Sequence, residues 1–593
     1  MDRKSLAILV VSFALLLGWF PLMSKLYPPP AHVETTETNS VAGAETVLSN
    51  GVATLSAAST NSIPVSAVTP SATAQKEELL SFDSGDVIYT FTTHGGGVKR
   101  IELKKYPASV SCSKDMKQTT NGFAVLNDRS PVPMFTLQSG EPIHGDGVFR
   151  LTKTEKGVRA EKQLANGMSV VKEFTPGTNY QLTVSTHIEN RGSQALPLPA
   201  QEWVIGTSTP LGVEDESMYL GLVWFDGASD NHIGESWFAN RFLGCFPGTP
   251  RTVYDEGGDK VVWAAVHNQF FAVAAWAQKP AKSVVSRRVD LTPPTEADIA
   301  AHPKAMRNPH GYQTALVFPS SVLAPGKSVE EQFTVYAGPK EYNELSKLGA
   351  QQKNEVERVM NYSGFFGWFA KGLLLSMNGL HSLGASYGWS IVIITTLIKL
   401  IFWPLTTAST RSMKRMGALQ PQMNALKEKY KDDPQKQNTK LMEFMRENKV
   451  NPMAGCIPMV VQIPVFFGFF RMLQGAIELR GAEFLWICDL SHPDTIAVIP
   501  GIQFPINPMP ILMGITMLWQ ARLTPPSPGM DPVQQKIMKY MPLMFLVFLY
   551  NFSAALTVYW TVQNILTITQ MTLTKTKDVE PAAATTPAPK KKK

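Results

Sequence analysis

Residues 389–405 read WSIVIITTLIKLIFWPL. With the residues just ahead of it, this apolar run is long enough to cross a bilayer, and it carries one charge, Lys399. A lysine at the centre of a membrane helix costs roughly 2.5–3.5 kcal/mol on insertion scales. About 9 Å of helix rise separate it from Leu405, so its stem reaches only part of the way toward the nearer interface. Such a charge is retained where it faces water or protein, which marks it as a functional residue. Thr395, four positions earlier, shares its face.

Downstream, 406–451 is polar and basic. Met413, Met416, Leu419, Met423, Leu426 and Tyr430 recur at helical spacing, Pro421 is expected to kink that helix, and Asp432-Asp433-Pro434 ends it. Leu441, Phe444 and Met445 start a second helix, which predicts an antiparallel hairpin. Residues 452–574 hold four further apolar runs, expected as four membrane helices, and 575–593 is a basic tail ending in Lys590–Lys593. Polar side chains punctuate these runs. Thr557, Thr561 and Asn564 form one stripe of the last helix, Gln462 lies between Pro458 and Pro464, and Gln520 sits near the end of the fourth span. They are expected to face each other or water, although Thr, Asn and Gln also serve as ordinary interhelical contacts. Arg471 lies near the end of its run and is expected to snorkel.

Upstream, residues 1–26 combine a basic start with an apolar run and no A-x-A-like cleavage site, as in an uncleaved signal-anchor helix. Residues 27–79 are rich in Pro, Ala, Ser, Thr and Val and predict a disordered linker. From 80 to 350 the period is two. Val87, Tyr89 and Phe91 alternate before Gly95-Gly96-Gly97; Tyr180, Leu182, Val184, Thr186 and Ile188 alternate again. KVVWAAVHNQFFAVAAW (260–276) reads as two strands around a His-Asn-Gln break, and QFTVYAG (332–338) as another. The pattern predicts a large all-β sandwich. Residues 360–383, aromatic but interrupted by Lys371, Asn378 and glycines, predict an amphipathic helix lying in the interface, followed by the membrane helix 384–405.

Six spanning helices result. The 474–503 loop has a single basic residue, Arg480, whereas the hairpin, the 522–536 loop and the tail carry most of the Lys and Arg. The positive-inside rule puts both termini and the hairpin in the cytoplasm and 27–383 outside, and explains much of the net charge of +7. Enzymatic motifs are lacking. Gly384-Ala385-Ser386-Tyr387-Gly388 matches G-x-S-x-G but follows no strand, Gly326-Lys327-Ser328 lacks the earlier glycine of a P-loop, and H-E-x-x-H is absent. The cysteines, Cys112, Cys245, Cys456 and Cys488, show no metal or disulfide spacing; Cys112 with Cys245 is one conceivable pair. A transporter or channel with an external ligand-binding domain is the competing reading, and it would call for inverted repeats and paired ionisable groups, which the sequence lacks.

Several long segments carry a resemblance: IVIITTLIKLIFWPLT (391–406), ALQPQMNALKEKYKDDPQK (418–436), KVNPMAGCIPMVVQIPVFFGFFRML (449–473), ELRGAEFLWICDLS (478–491), DPVQQKIMKYMPLMF (531–545) and VYWTVQNILTITQ (558–570). Together they resemble the YidC/Oxa/Alb family of membrane protein insertases, and GGGVKRIELKKY (95–106) with YAGPKEYNELSKLG (336–349) is similar to its long form with a large periplasmic domain. The resemblance implies a polytopic α-helical protein of the bacterial inner membrane with a five-helix core, a periplasmic β-supersandwich and a cytoplasmic helical hairpin. It implies insertion and folding of nascent inner-membrane proteins, alone or with the Sec translocon, without nucleotide or other cofactor. The basic residue of the family's first core helix maps onto Lys399, in a hydrated groove open to cytoplasm and lipid and closed toward the periplasm. Groove or substrate-contacting positions map onto Thr395, Trp403, Ile463, Pro464, Phe466, Tyr559 and Trp560, with Trp403 and Trp560 where tyrosine is frequent. With the polar residues above, the candidate site is Lys399, Thr395, Trp403, Gln462, Ile463, Pro464, Phe466, Gln520, Tyr559, Trp560, Thr561 and Asn564. The hairpin and basic tail are expected as first-contact surfaces, including for the ribosome.

Overall fold

A computed structural model of the chain describes residues 76–574, apart from 113–117, 139–144, 216, 242–245, 247, 303–304, 449–456, 500, 502–503 and 525–531. The expected anchor, the linker up to 75 and the basic tail lie outside the described residues.

The β part is built on a nine-stranded antiparallel sheet. Its order is Asp230–Gly234, Gly221–Phe225, Trp263–His267, Phe271–Ala277, Ser328–Pro339, Gln181–Asn190, Met168–Pro176, Val158–Gln163 and Arg150–Lys153. Two four-stranded antiparallel sheets accompany it. One runs Gln201–Ser208, His310–Phe318, Ser283–Asp290, Val253–Glu256, and the other runs in chain order from Leu79–Asp83 to Gln118–Leu126. Gly95 and Gly96 take φ of +74° and +55° in the turn between Val87–Thr92 and Gly97–Cys112, a conformation that favours glycine.

Burial explains which strands alternate in sequence. Gln181–Asn190 buries Leu182, Val184, Thr186 and Ile188 on one face only, so its period of two is clear. Tyr180, expected in that strand, instead has φ +62° just ahead of it. In Trp263–His267 and Phe271–Ala277 both faces are covered. Ala264, Val266, Phe271, Val273 and Ala275 enter the core of the sandwich, whereas Trp263, Ala265, Ala272, Ala274 and Trp276 enter a second core shared with helices. An apolar residue at every position but His267 is the consequence.

The helices that close this second core are α1 (Tyr342–Gln352), α2 (Gly364–Ser382), α3 (Tyr387–Ile401), α7 (Ile457–Gly475), α8 (Pro508–Leu523) and α10 (Ala554–Leu573); α9 is Pro532–Leu549. Polar contacts stitch the same junction. Trp263 Nε1 donates to the Asn354 carbonyl at 2.8 Å, Gln269 Nε2 to the Gln474 carbonyl at 2.9 Å and Arg480 to the Ala108 carbonyl at 2.9 Å. Asp230 accepts from Arg358 at 3.0 Å and from Ser363 at 2.7 Å. Burial pushes the Asp230 carboxyl up, but the hydrogen bonds from His232, Ser363 and Arg358 outweigh it and hold it below the usual carboxylate range.

The membrane helix expected over 384–405 is interrupted. α3 ends at Ile401, and after Phe402 the chain turns by 64° into α4 (Trp403–Ala418). Pro404 at the start of α4 fits a first-turn position, where its missing N–H is harmless. Among the described residues no single helix is long and apolar enough to cross a membrane, and the α3–α4 bent pair is so only together. Among the described residues, the spans expected over 384–405 and 452–574 are thus not seen as uninterrupted apolar helices of spanning length. Proline and polar residues inside the runs account for this: Pro464 in α7, Pro542 in α9 and the Thr, Gln and Asn series of α10. In the polar segment the chain breaks at Leu419 rather than kinking, giving α5 (Gln420–Lys429), then α6 (Pro434–Glu447) capped by Asp433. Met416, Leu419, Met423, Leu441 and Met445 pack between them as a small separate core.

Two further expectations change. Arg471 does not snorkel to solvent but donates to Asn361 Oδ1 at 2.5 Å and to the Ser363 carbonyl at 3.3 Å, tying α7 to the start of α2. Cys488 is disulfide-bonded, whereas the cysteine spacing suggested no disulfide framework.

Candidate functional site

α10 organises the site. Its Thr557, Thr561 and Asn564 are buried as one stripe, and Thr567 continues that stripe one turn further. Lys399, on the last turn of α3, is 7% exposed and its ammonium donates to Thr567 Oγ1 at 2.9 Å. Among the described residues no carboxylate forms an ion pair with it. One hydroxyl uses only one of the three ammonium donors.

Beyond Thr567 lies a pocket of about 190 Å³ lined by Gln462, Phe466, Gln520, Tyr559, Trp560, Gln563, Asn564 and Thr567. A polar chain crosses it: Gln563 Nε2 donates to Gln462 Oε1 at 2.8 Å, and Gln462 Nε2 to the Tyr559 hydroxyl at 2.7 Å. Asn564 donates to Thr516 Oγ1 at 3.1 Å. Gln520 Oε1 is buried without a hydrogen-bond partner. Such an orphaned acceptor beside a pocket of this size fits occupation by water. Aromatic rings form the other wall. Phe466 meets Trp560 edge-on at 4.9 Å, Trp560 meets Phe545 at 5.4 Å, and Tyr559 stacks on Phe469 at 4.3 Å.

The structure thus brings together Lys399, Gln462, Phe466, Gln520, Tyr559, Trp560 and Asn564. It places the other expected residues elsewhere. Thr395 and Thr561 spend their hydroxyls on the Ile391 and Thr557 carbonyls of their own helices. Ile463 is 41% exposed, and Pro464 lies within α7 outside the pocket lining. Trp403 stands at the bend, where its carbonyl accepts from Gln570 at 3.1 Å. Gln563 and Thr567 are the residues that sequence reasoning missed. Thr567 was signalled by its place three positions after Asn564 on the marked stripe; Gln563 lies off that stripe and gave no signal. The rejected G-x-S-x-G match has a packing explanation. Ser386 caps α3, and a Cβ on Gly388 would stand 2.3 Å from the Phe484 ring.

No group of three metal-ligating side chains occurs among the described residues. What the arrangement offers is a cation without a carboxylate, next to a small polar pocket with one aromatic wall. It can attract negative charge and hold water; it contains no nucleophile–base pair.

Comparison with known proteins agrees in extent with both halves. A family model described as "YidC periplasmic domain" matches residues 80–375, and one described as "60Kd inner membrane protein" matches 379–580. The chain is 34% identical over 498 residues to the "Membrane protein insertase YidC" of Citrifermentans bemidjiense, covering 82% of this chain and 83% of that one. It is 30% identical over 585 residues to the protein of the same name from Syntrophus aciditrophicus, covering 96% and 98%. Among solved structures, "Active YidC insertase crystal structure with the first transmembrane domain resolved" aligns over 84% of this chain and 92% of its own, with a TM-score of 0.34 and 16% identity. With sequence identity running through the β part and the helical part alike, the chain belongs to the YidC family of membrane protein insertases.

Proposed function

We propose that this chain inserts membrane proteins into the bacterial inner membrane, using Lys399 and the pocket beside it as a cationic, hydrated half-channel. The observation that carries the reading is a buried ammonium held by one threonine hydroxyl and, among the described residues, by no counter-ion, next to a polar pocket. An ion pair would cancel the field; a lone cation keeps it. An arriving acidic or polar segment is drawn toward Lys399 and is partly hydrated while it crosses. Its apolar neighbour then moves into lipid past the Phe466–Trp560 wall, releasing about 25 cal/mol per Å² of apolar surface transferred. That transfer supplies the free energy, so no nucleotide is required.

In the arrangement we propose, residues 1–26 anchor the chain, 27–79 tether the β domain (80–350) outside, and 360–383 lie in the interface. Membrane helices occupy 384–405 and 452–574, and the hairpin (406–451) and tail (575–593) face the cytoplasm. Insertion proceeds alone or beside the Sec translocon, with the hairpin and tail meeting nascent chains and ribosomes first. Complementation of depleted cells tests the central claim. Lys399→Ala is expected to weaken insertion of acidic-tailed clients and Lys399→Glu to abolish it. Equal insertion by the Glu variant would sink the electrostatic account. Loss of ribosome co-sedimentation on deleting 575–593 would support the role of the tail, and no change would remove it.

A further inference from the structure

The turn after α7 carries Glu478, and α2 carries Asn378. Asn378 Nδ2 donates to Glu478 Oε1 at 2.9 Å. The two remaining oxygens of this contact, Glu478 Oε2 and Asn378 Oδ1, are both buried, and neither has a hydrogen-bond partner. Buried acceptors are rarely left unpaired, and two at one contact call for a donor that both can share.

Among the described residues, the neighbours supply none. The titratable groups within reach of Glu478 are Tyr106 from the strand Gly97–Cys112, Glu341 ahead of α1, Tyr362 before α2 and Tyr387 of α3, none of them a cation. The cations on adjoining elements are engaged elsewhere. Arg480 is on the Ala108 carbonyl and near the rings of Phe270 and Phe271, Arg471 is on Asn361, and Lys371 is over the Tyr342 ring at 4.8 Å. His381 is stacked on Tyr387 at 4.0 Å and bonded to the Ala385 carbonyl.

We propose that Glu478 is a proton-holding site: its carboxyl is protonated at neutral pH, and its Oε2–H donates to Asn378 Oδ1. With the bond that Asn378 already gives, this closes a cyclic acid–amide pair, and one proton satisfies both orphaned oxygens. The electrostatics agree in direction. Burial pushes the Glu478 carboxyl up, over the opposing hydrogen bonds from Asn378 and from its own backbone N–H. Because the folded carboxyl binds its proton more tightly than the unfolded one, the contribution of the pair is complete below the ordinary glutamate range. It is lost as pH rises through the raised value. Deprotonation sets a carboxylate oxygen against the amide oxygen and loosens α2 from the end of α7. The site therefore makes the clamp on α2 answer to the pH outside the membrane.

The test uses the full chain in lipid nanodiscs. Infrared difference spectra of the wild type are expected to show a carboxylic-acid C=O band at neutral pH that Glu478→Gln removes. Hydrogen exchange over 364–382, corrected for intrinsic rates, is expected to lose protection as pH rises in the wild type. The same measurement should be flat in Glu478→Gln, whose amide keeps both bonds without titrating. Asn378→Leu is expected to shift the acid band to the position of an unbonded acid. An acid band that survives Glu478→Gln, a flat wild-type exchange profile, or the same slope in both proteins would each overturn the assignment.

Discussion

Replacing Lys399 with methionine separates a residue kept for stability from one kept for activity. The two side chains have similar length, so packing is largely conserved. What the variant loses is one charge-assisted hydrogen bond, the 2.9 Å contact with Thr567, worth about 1.5–3 kcal/mol. What it gains is relief from holding a charge at membrane depth, roughly 2.5–3.5 kcal/mol on insertion scales. The difference runs from about 0.5 kcal/mol against the variant to about 2 kcal/mol in its favour. Lys399→Met is therefore expected to match or exceed the stability of the wild type to within about 0.5 kcal/mol while inserting acidic-tailed clients poorly. Reversible unfolding of the chain in nanodiscs gives the first quantity, and client insertion in depleted cells gives the second. A loss of stability of more than about 1 kcal/mol would show that Lys399 holds the bundle together. Insertion at the wild-type level would show that the charge is not needed for activity, and in either case the reasoning from its missing counter-ion would fail.

Asp230→Ala removes one side of a half-buried pair with Arg358 and also releases Ser363 and His232; a loss of about 1.5–3 kcal/mol is expected by thermal unfolding. Because the native Asp230 carboxyl is held low, its contribution is present above the ordinary aspartate range and is lost as pH falls through its depressed native value. The alanine variant should lack that acid-side step, and a pH profile parallel to the wild type would contradict the assignment. Gly388→Ala pushes a methyl against the Phe484 ring, for an overpacking penalty of about 1–3 kcal/mol less about 1 kcal/mol of helix propensity. A more stable Gly388→Ala would mean that Phe484 moves freely. Tyr559→Phe deletes the acceptor of Gln462 and should destabilise by about 0.6 kcal/mol, the usual scale between membrane helices. An unfolding midpoint unchanged in Tyr559→Phe would show that water replaces the hydroxyl.

The sequence already carried the β domain, the hairpin and the polar stripe of α10, because each has a period tied to one buried face. It misled where burial had two sides or where a partner was remote. Trp263–His267 and Phe271–Ala277 were readable as strands, yet nothing in them announced that their second face covers helices far along the chain. Arg471 looked like a snorkelling residue because its acceptors, Asn361 and Ser363, belong to an otherwise featureless loop. The bend at Phe402 was hidden inside a continuous apolar run, where hydropathy is blind to direction. Lys399 was conspicuous by its charge, but Thr567, its partner, became visible only once α3 and α10 lay side by side.

The bend at Phe402 also sets how force travels through the protein. Gln570 of α10 grips the far side of the bend through the Trp403 carbonyl, Thr406 and Thr407. Lys414 of α4 holds the Met571 and Thr574 carbonyls at the end of the same helix at 2.9 and 2.8 Å. α4 is thus a lever, with α5 and α6 at its long arm and α10 at its short one. A pull on the hairpin tip cannot swing α4 without breaking these contacts or dragging α10 with it. Thr567 sits less than one turn above Gln570, so displacement at the hairpin tip would be felt first at the hydroxyl that holds Lys399.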